Sequence, residues 1–284
     1  MQEKHNGANL GGTVEESERT DLLRRLVGYL MEERRETGGW MPAQPPHGGS
    51  TTEELWLTFR SLVNTREPLP ASPTFLEAQD ALLQGMIADK GITTIGKTEA
   101  SPADLRIHLW RGDITTLAAD AIVNAANSGM TGCWAPLHYC IDNAIHTFAG
   151  VQLRKECARL MEQQGHPEPT AHAKVTPAYN LPAHHVVHTV GPIANGRPTD
   201  QHREQLAECY RACLDAAAQT DDASIAFCCI STGVFGFPQK EAAAIAVNAV
   251  RRWLADHPTP RMEVVFNVFL EEDERIYRTL LGIS

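Results

Sequence analysis

Apolar residues recur at helical spacing through the first ninety residues of the chain. This spacing predicts one helix over Glu18–Thr37, a second that begins at Thr51 or Thr52, and a third over about Thr74–Ala88. Glycine and proline are concentrated between the first two helices and predict a loop over Gly38–Ser50. No catalytic motif stands out in these ninety residues, so we interpret them as a helical segment that precedes the functional part.

From residue 91 the pattern changes to short apolar runs that alternate with helical spacing. The alternation predicts a three-layer α/β fold with a mostly parallel sheet. One run is apolar on both faces, which is typical of a central strand in a covered sheet. The predicted strands are Gly91–Ile95, Leu105–Trp110, Ala121–Ala125 (the run that is apolar on both faces), Val175–Pro177, His185–Val190, Ser224–Ile230 and Met262–Leu270; the predicted helices are Asp142–Phe148, Val151–Gln164, Gln201–Gln219, Pro238–His257 and Asp273–Leu281.

Charge and cysteine content narrow the class of protein. The 284 residues carry a net charge of −10 without a basic run, which argues against non-specific nucleic-acid binding but not against a small anionic ligand held by backbone N–H groups. No apolar run is long enough to span a membrane, and the polar N-terminus lacks the features of a secretory signal. With seven cysteines, an odd number, we expect free thiols in a reducing compartment, the cytoplasm.

The clearest candidate chemistry lies in a polar loop that follows the strand Ala121–Ala125. Cys133, His138 and Cys140 occur there within eight residues, and thiolate and imidazole are the donors that zinc prefers. With three protein ligands, the fourth position would be open to water or substrate, as in a catalytic zinc site. The alternative is two ordinary cysteines and a surface histidine.

Asp142 follows this loop, where the next helix is predicted to begin. We expect it to cap that helix, and the helix dipole would then lower the pKa of its carboxyl group. A lowered pKa suits a base or an electrostatic anchor better than a general acid. The alternative is capping alone.

Two further strand ends carry candidate binding residues. Asp113, in the stretch Arg111–Thr115, could accept a hydrogen bond from an exocyclic amine such as that of a purine, or could belong to a surface turn. The stretch Ile230–Pro238 places small residues and two glycines between a buried strand and a helix. Its backbone N–H groups suit a pyrophosphate, although a plain turn is the alternative.

Several stretches taken in order resemble macrodomains, which bind ADP-ribose on an α/β/α scaffold. They are GDIT, DAIVNAAN, DNAIH, HTVGP and ISTGVFGFP, and the resemblance covers about Ala103–Ser284. The loop GCWAPLHYC stands where hydrolytic macrodomains carry a glycine-rich loop, and it resembles the zinc-dependent subgroup, as do ELWLTFRSLVNTREP and FLEAQDALLQ of its helical N-terminal extension. The polar N-terminal residues predict a disordered tail over residues 1–17. The resemblance implies a helical extension over 18–98 and a macrodomain with a mixed, mostly parallel central sheet over 99–284.

The resemblance also implies roles for individual residues. Asp142 and Asn127 would be the catalytic residues: Asp142 matches the acidic residue near the scissile bond, and Asn127 would meet the distal ribose. One Zn²⁺ per chain would be bound over that ribose by Cys133, His138 and Cys140. The remaining ligand contacts would come from Asp113 and the backbone of Ile114 at the adenine amine, from Phe269 against the adenine ring, and from Ser231, Thr232, Gly233, Val234, Phe235, Gly236 and Phe237 around the pyrophosphate.

The function implied by this resemblance is the hydrolytic removal of mono-ADP-ribose from acidic residues of a protein. Microbial members are often linked to a sirtuin that modifies a lipoyl-carrier protein, so both are expected partners. Two other functions remain open from the sequence. One is a non-catalytic reader of ADP-ribosylated proteins, and the other is a hydrolase of a small ADP-ribose derivative. We expect neither nucleic acid nor a membrane as a partner.

Overall fold

The computed structural model describes residues 15–258 and 262–284. Within these ranges, no helix has both the length and the apolar character needed to cross a bilayer. The predicted tail lies outside the described residues as far as residue 14. In chain order, the elements are α1 (Glu16–Thr37), α2 (Thr52–Asn64), α3 (Pro73–Lys90), β1 (Thr93–Thr94), β2 (Glu99–Ser101), β3 (Asp104–Arg111), β4 (Leu117–Ala118), β5 (Ala121–Ala126), α4 (Ile141–Ala149), α5 (Val151–Gln164), β6 (Ala173–Pro177), β7 (His185–Val190), α6 (Asp200–Gln219), β8 (Ser224–Phe227), α7 (Gln239–Asp256), β9 (Glu263–Val268) and α8 (Glu271–Leu281).

Helices α1 to α3 form the helical extension, and local sequence determines where they begin. Thr51 accepts a hydrogen bond from the N–H of Glu54, whose carboxylate accepts one from the N–H of Thr51, so a capping box starts α2. Ser72 caps α3, with Pro73 in its first turn. The buried faces of the three helices belong to the same apolar core as the sheet, so the extension is packed as part of the fold.

The main sheet has seven strands in the order β2-β3-β9-β8-β5-β7-β6. The inner five strands are parallel, and the edge strands β2 and β6 are antiparallel to their neighbours. Helices α6, α7 and α8 pack side by side, while α4 contacts β5 and the helices α2 and α3 of the extension. The predicted mixed, mostly parallel sheet between helices is therefore confirmed.

The parallel strands bring their carboxyl ends to one edge of the sheet. Every predicted site residue follows one of these ends: those of β3, β5, β8 and β9. Ligands of open α/β sheets bind at this edge. The topology therefore gathers segments that lie more than 150 residues apart in the chain, from Asp113 to Phe269.

Several strand boundaries differ from the predictions, and two short strands, β2 and β4, were not predicted. The strand predicted over Gly91–Ile95 shortens to β1, which pairs with β4 in a separate two-stranded sheet. The edge strand β2 was not predicted, since three residues are too few to show an alternating pattern. The strand predicted to reach Ile230 ends at Phe227, because its ladders with β9 and β5 extend no further.

Candidate active site

The loop between β5 and α4, residues 127–140, brings the three predicted metal donors together and is called the metal loop below. The ligand atoms of Cys133, His138 and Cys140 all lie within 4.8 Å of one another. Cys133 Sγ lies 3.3 Å from His138 Nδ1. Zinc bonds of about 2.3 Å to sulfur and 2.0–2.1 Å to nitrogen place two tetrahedral donors about 3.5 Å apart. The donor types and their spacing therefore fit a zinc ion bound by two thiolates and one imidazole.

Cys140 also holds the N-cap of α4, so the prediction that Asp142 caps this helix is wrong. The helix begins at Ile141, and Cys140 Sγ accepts a hydrogen bond from the N–H of Asn143. Burial raises the pKa of the Cys140 thiol to about 12 against that hydrogen bond, and Cys133 and Asp142 add to the rise. A thiol in this setting becomes a thiolate when a cation takes the place of its proton.

A second cluster of metal-binding residue types lies in the interior. It consists of His146, Cys157 and His188, all buried. Both ring nitrogens of His188 have partners, because Nδ1 lies 3.2 Å from Asn124 Nδ2 and Nε2 lies 2.9 Å from Thr176 Oγ1. Burial lowers the pKa of His188 to about 3 and raises that of Cys157 to about 12. Neither ring nitrogen of His146 has a hydrogen-bond partner within the described part of the chain, and burial lowers the pKa of this histidine as well. We interpret this neutral, buried cluster as part of the core.

Two asparagine side chains from the end of β5 hold the carboxylate of Asp142. Asn124 Nδ2 donates to Oδ1 at 2.8 Å, and Asn127 Nδ2 donates to Oδ2 at 3.3 Å and to the Gly132 carbonyl at 3.0 Å. The predicted lowering of the pKa is wrong: burial raises the pKa of Asp142 to about 6, against the Asn124 hydrogen bond, the charge of Arg154 and the Asn127 hydrogen bond. The carboxyl group lies inside the protein, 5% exposed.

Asp113 lies at the end of β3 and contacts the helical extension. Its Oδ1 accepts hydrogen bonds from the N–H and the hydroxyl of Thr115, and its Oδ2 lies 2.8 Å from Nζ of Lys90 at the end of α3. Burial acts to raise the pKa of Asp113, but the hydrogen bonds from Lys90 and Thr115 and the Lys90 charge lower it overall. Ile114 is buried, so its side chain is not available to a ligand.

The loop after β8 is closed by its own hydrogen bonds. The N–H of Phe237 donates to the Ser231 carbonyl, and the N–H of Gly236 donates to the Gly233 carbonyl, each at 2.9 Å. Ser231 and Gly236 have positive φ angles of 65° and 64°, and the Thr232 hydroxyl donates back to the Cys229 carbonyl at 3.0 Å. The side chain of Phe237 is buried, so this residue anchors the loop.

Three successive N–H groups of this loop, those of Gly233, Val234 and Phe235, have no acceptor within the described part of the chain. The Phe235 carbonyl accepts from the N–H groups of Ala194 and Asn195, which fixes the loop against the segment after β7. Val234 is 78% exposed. Successive free N–H groups at the carboxyl edge of a sheet form a concavity that binds anions.

Phe269 follows β9 and is 58% exposed. Its ring lies 6.3 Å from that of Tyr139 at an interplanar angle of 61°. Tyr139 lies between two of the metal donors and is 81% exposed, and its proximity to Phe269 was not predicted. The contact places the metal loop beside the predicted adenine site.

Sequence reasoning also missed Arg154, which is buried in α5. Its guanidinium donates to the carbonyls of Thr131 and Cys133 in the metal loop and to those of Val63 and Arg66 at the end of α2. A detectable signal was present, because a charged residue at this position interrupts the apolar face of a predicted helix. Arg60, Asn64 and Asn124 were missed as well, and the first two gave no local signal.

Comparisons with known proteins identify the family and the fold. A sequence model of the Macro domain family matches residues 123–246. A protein-ADP-ribose hydrolase from Treponema medium is 52% identical over 261 residues, 90% of this chain and 97% of that protein. One from Staphylococcus aureus is 47% identical over 230 residues, 81% of this chain and 85% of that protein. The crystal structure of a Trypanosoma brucei macrodomain in complex with ADP-ribose is similar with a TM-score of 0.61 and 31% identity, over 78% of this chain and 95% of that chain.

Proposed function

The chain belongs to the macrodomain family, and we propose that it is a zinc-dependent protein-ADP-ribose hydrolase that removes mono-ADP-ribose from acidic side chains. Its relatives named protein-ADP-ribose hydrolase match most of the chain at 46–52% identity, and they support the enzyme class. The zinc dependence and the acidic attachment site are our extension of that class to this protein.

The proposal rests on one observation: groups that suit a nucleotide diphosphate and a set of predicted metal donors lie at the same edge of the sheet. Free N–H groups at Gly233–Phe235 and the carboxylate of Asp113 suit a pyrophosphate and an adenine amine. The three metal donors and Asp142 follow β5, an inner strand of the same sheet. A reader of ADP-ribose needs the first kind only.

In this proposal, different residues of the chain bind the adenine, the pyrophosphate and the distal ribose of ADP-ribose. Asp113 accepts the adenine amine, beside the backbone of Ile114, and Phe269 packs on the ring. The loop Ser231–Phe237 surrounds the pyrophosphate and donates to it through its free N–H groups. Asn127, whose amide donates to the carboxylate of Asp142, contacts the distal ribose, as the family resemblance implies.

Asp142 orients a water for attack at the distal ribose. With a pKa of about 6, its carboxyl group is mainly ionised at pH 7. Each carboxylate oxygen accepts one asparagine N–H and keeps a lone pair for a water molecule. A Zn²⁺ ion at Cys133, His138 and Cys140 would supply Lewis acidity at the same sugar.

The test uses a protein that carries mono-ADP-ribose on glutamate or aspartate. Incubation with this enzyme should release free ADP-ribose and restore the unmodified side chain, both measured by mass spectrometry. Dialysis against a chelator should stop release, and added Zn²⁺ should restore it. Binding of ADP-ribose without release would identify a reader, whereas release only from a small ADP-ribose ester would identify the small-molecule hydrolase. Either result contradicts the proposal.

The physiological target follows from the family resemblance rather than from the site. A lipoyl-carrier protein modified by a partner sirtuin is the substrate that we propose to test first. Release should be compared between that carrier and an unrelated protein modified on the same residue type. Equal rates on both would remove the reason to assign this partner.

A further inference from the structure

The helical extension contacts the metal loop directly. Arg60, on α2, donates through Nη2 to the His138 carbonyl at 3.1 Å and to Asn143 Oδ1 at 3.0 Å. One turn later, Asn64 Oδ1 accepts a hydrogen bond from the N–H of Leu137 at 3.1 Å. These contacts join residues 73–83 positions apart. Two of them fall on Leu137 and His138, between Cys133 and Cys140, and the third falls on Asn143 in the first turn of α4.

Arg60 acts on more than one point of this loop through Asn143. The side chain of Asn143 is fully buried, and its Nδ2 donates to the Ala135 carbonyl at 3.2 Å. Its N–H donates to Cys140 Sγ at 3.4 Å. Arg60 and Asn143 together therefore hold both ends of the segment Ala135–Cys140 and the carbonyl of His138.

The backbone inside this segment needs such support. Leu137 adopts a φ angle of 57°, a conformation that residues with a side chain rarely take. Asn64 holds its N–H in place. Without these contacts the loop would leave this conformation more often, and a metal would then bind more weakly in proportion to the lost population.

We propose that the helical extension stabilises the metal-binding conformation of this loop. In this proposal Arg60 is the positioning residue that keeps His138 and Cys140 in the arrangement that binds the ion. The inference rests on the proposed function for the identity of the metal. It gives the extension a role in metal affinity, in addition to its packing in the core. Arg60 itself contacts neither the ion nor the ligand.

The experiment compares full-length wild type with Arg60→Ala, Arg60→Lys and Gln84→Ala. Gln84, on α3, hydrogen-bonds Asn180 of the macrodomain at 2.9 Å and does not touch the loop, so it controls for a loosened extension. Zinc affinity is measured by competition with a chromogenic chelator, and thermal unfolding reports the fold. Reactivity of Cys133 and Cys140 in metal-free protein toward a thiol reagent reports loop order.

Arg60→Ala should weaken zinc binding about 10- to 100-fold, as loss of an outer partner of a metal ligand does, and it should make the two thiols react faster. Arg60→Lys should recover part of the affinity, and Gln84→Ala should match wild type. If Arg60→Ala does not fold, Arg60→Gln takes its place with the same expected direction. Wild-type affinity in the Arg60 variants, or an equal loss in Gln84→Ala, overturns the inference. A wild type that binds no zinc overturns the proposed function too.

Discussion

Replacement of Arg154 by lysine tests whether one buried guanidinium joins the extension to the metal loop. Its Nε donates to the Thr131 carbonyl at 2.7 Å and its Nη1 to the carbonyls of Val63 and Arg66 at 3.0 and 2.8 Å. A third nitrogen, Nη2, lies 3.4 Å from the Cys133 carbonyl. A lysine keeps the charge but concentrates its donors on one atom, so it cannot reach acceptors on both sides.

The loss can be estimated from the carbonyls that remain without a partner. At least two of the four would lose their donor in Arg154→Lys, and a buried unsatisfied group costs about 1–3 kcal/mol. A cavity of about 10 Å³ lined by Val63, Arg66 and Arg154 has room for about one water molecule, which offsets part of this cost. We expect the free energy of unfolding to fall by about 2–4 kcal/mol, which for a chain of 284 residues corresponds to a melting temperature lower by about 3–7 °C.

Thermal unfolding of purified protein measures this change. The matched control is Arg159→Lys, on the same helix, because Arg159 is half exposed and pairs with Glu156 one turn away. Exposed pairs contribute about 0–1 kcal/mol, so the control should melt within about 2 °C of wild type. Equal melting temperatures for Arg154→Lys and Arg159→Lys would refute the reasoning about unsatisfied carbonyls.

Three further predictions concern the site and its surroundings. Cys140→Ser should lose zinc and hydrolysis while its Kd for ADP-ribose, measured by calorimetry, changes less than about threefold; full hydrolysis by this variant in metal-free buffer would contradict the zinc role. Phe269→Ala should weaken ADP-ribose binding about 5- to 150-fold, as loss of a base stack of about 1–3 kcal/mol does, whereas exposed Leu105→Ala should have no effect; equal affinity would exclude stacking. Burial lowers the pKa of His188 to about 3 in the folded protein, whereas a histidine in the unfolded chain has a pKa of about 6.5. Between pH 6.5 and pH 3 the unfolded state therefore binds more protons than the folded state, so the free energy of unfolding falls as the pH is lowered. From pH 6 to 5, His188→Asn should lose about 1 kcal/mol less stability than wild type in urea unfolding, and parallel losses would contradict a neutral buried His188.

Short-range patterns in the sequence located most of the elements. Apolar spacing placed α5 at Val151–Gln164 as observed and α1 within two residues of its start. The alternation of strands and helices predicted the three-layer fold, and the order of the motifs predicted the family; both are confirmed. The edge strand β2 was missed because Glu99–Ser101 is short and half polar, and its pairing with β3 is what makes it a strand.

The state of Asp142 shows why the site was less predictable than the fold. Its place near a helix start suggested a cap and a lowered pKa, since helix termini are local features. The helix begins at Ile141 instead, and the packing around Asp142 removes solvent from the carboxylate and raises its pKa. Burial depends on the whole fold, and no window of sequence around residue 142 reports it.

Periodicity and ligand type can be seen within a few residues, so the sequence alone was enough to locate the helices, the central strands and the candidate donors Cys133, His138 and Cys140. The distant groups that support those candidate donors could be identified only from the folded chain. Arg60 reaches the carbonyl of His138 across 78 positions, and Lys90 reaches Asp113 across 23. Such contacts depend on how helices pack against a sheet edge, and that packing follows from burial of apolar faces over the whole chain.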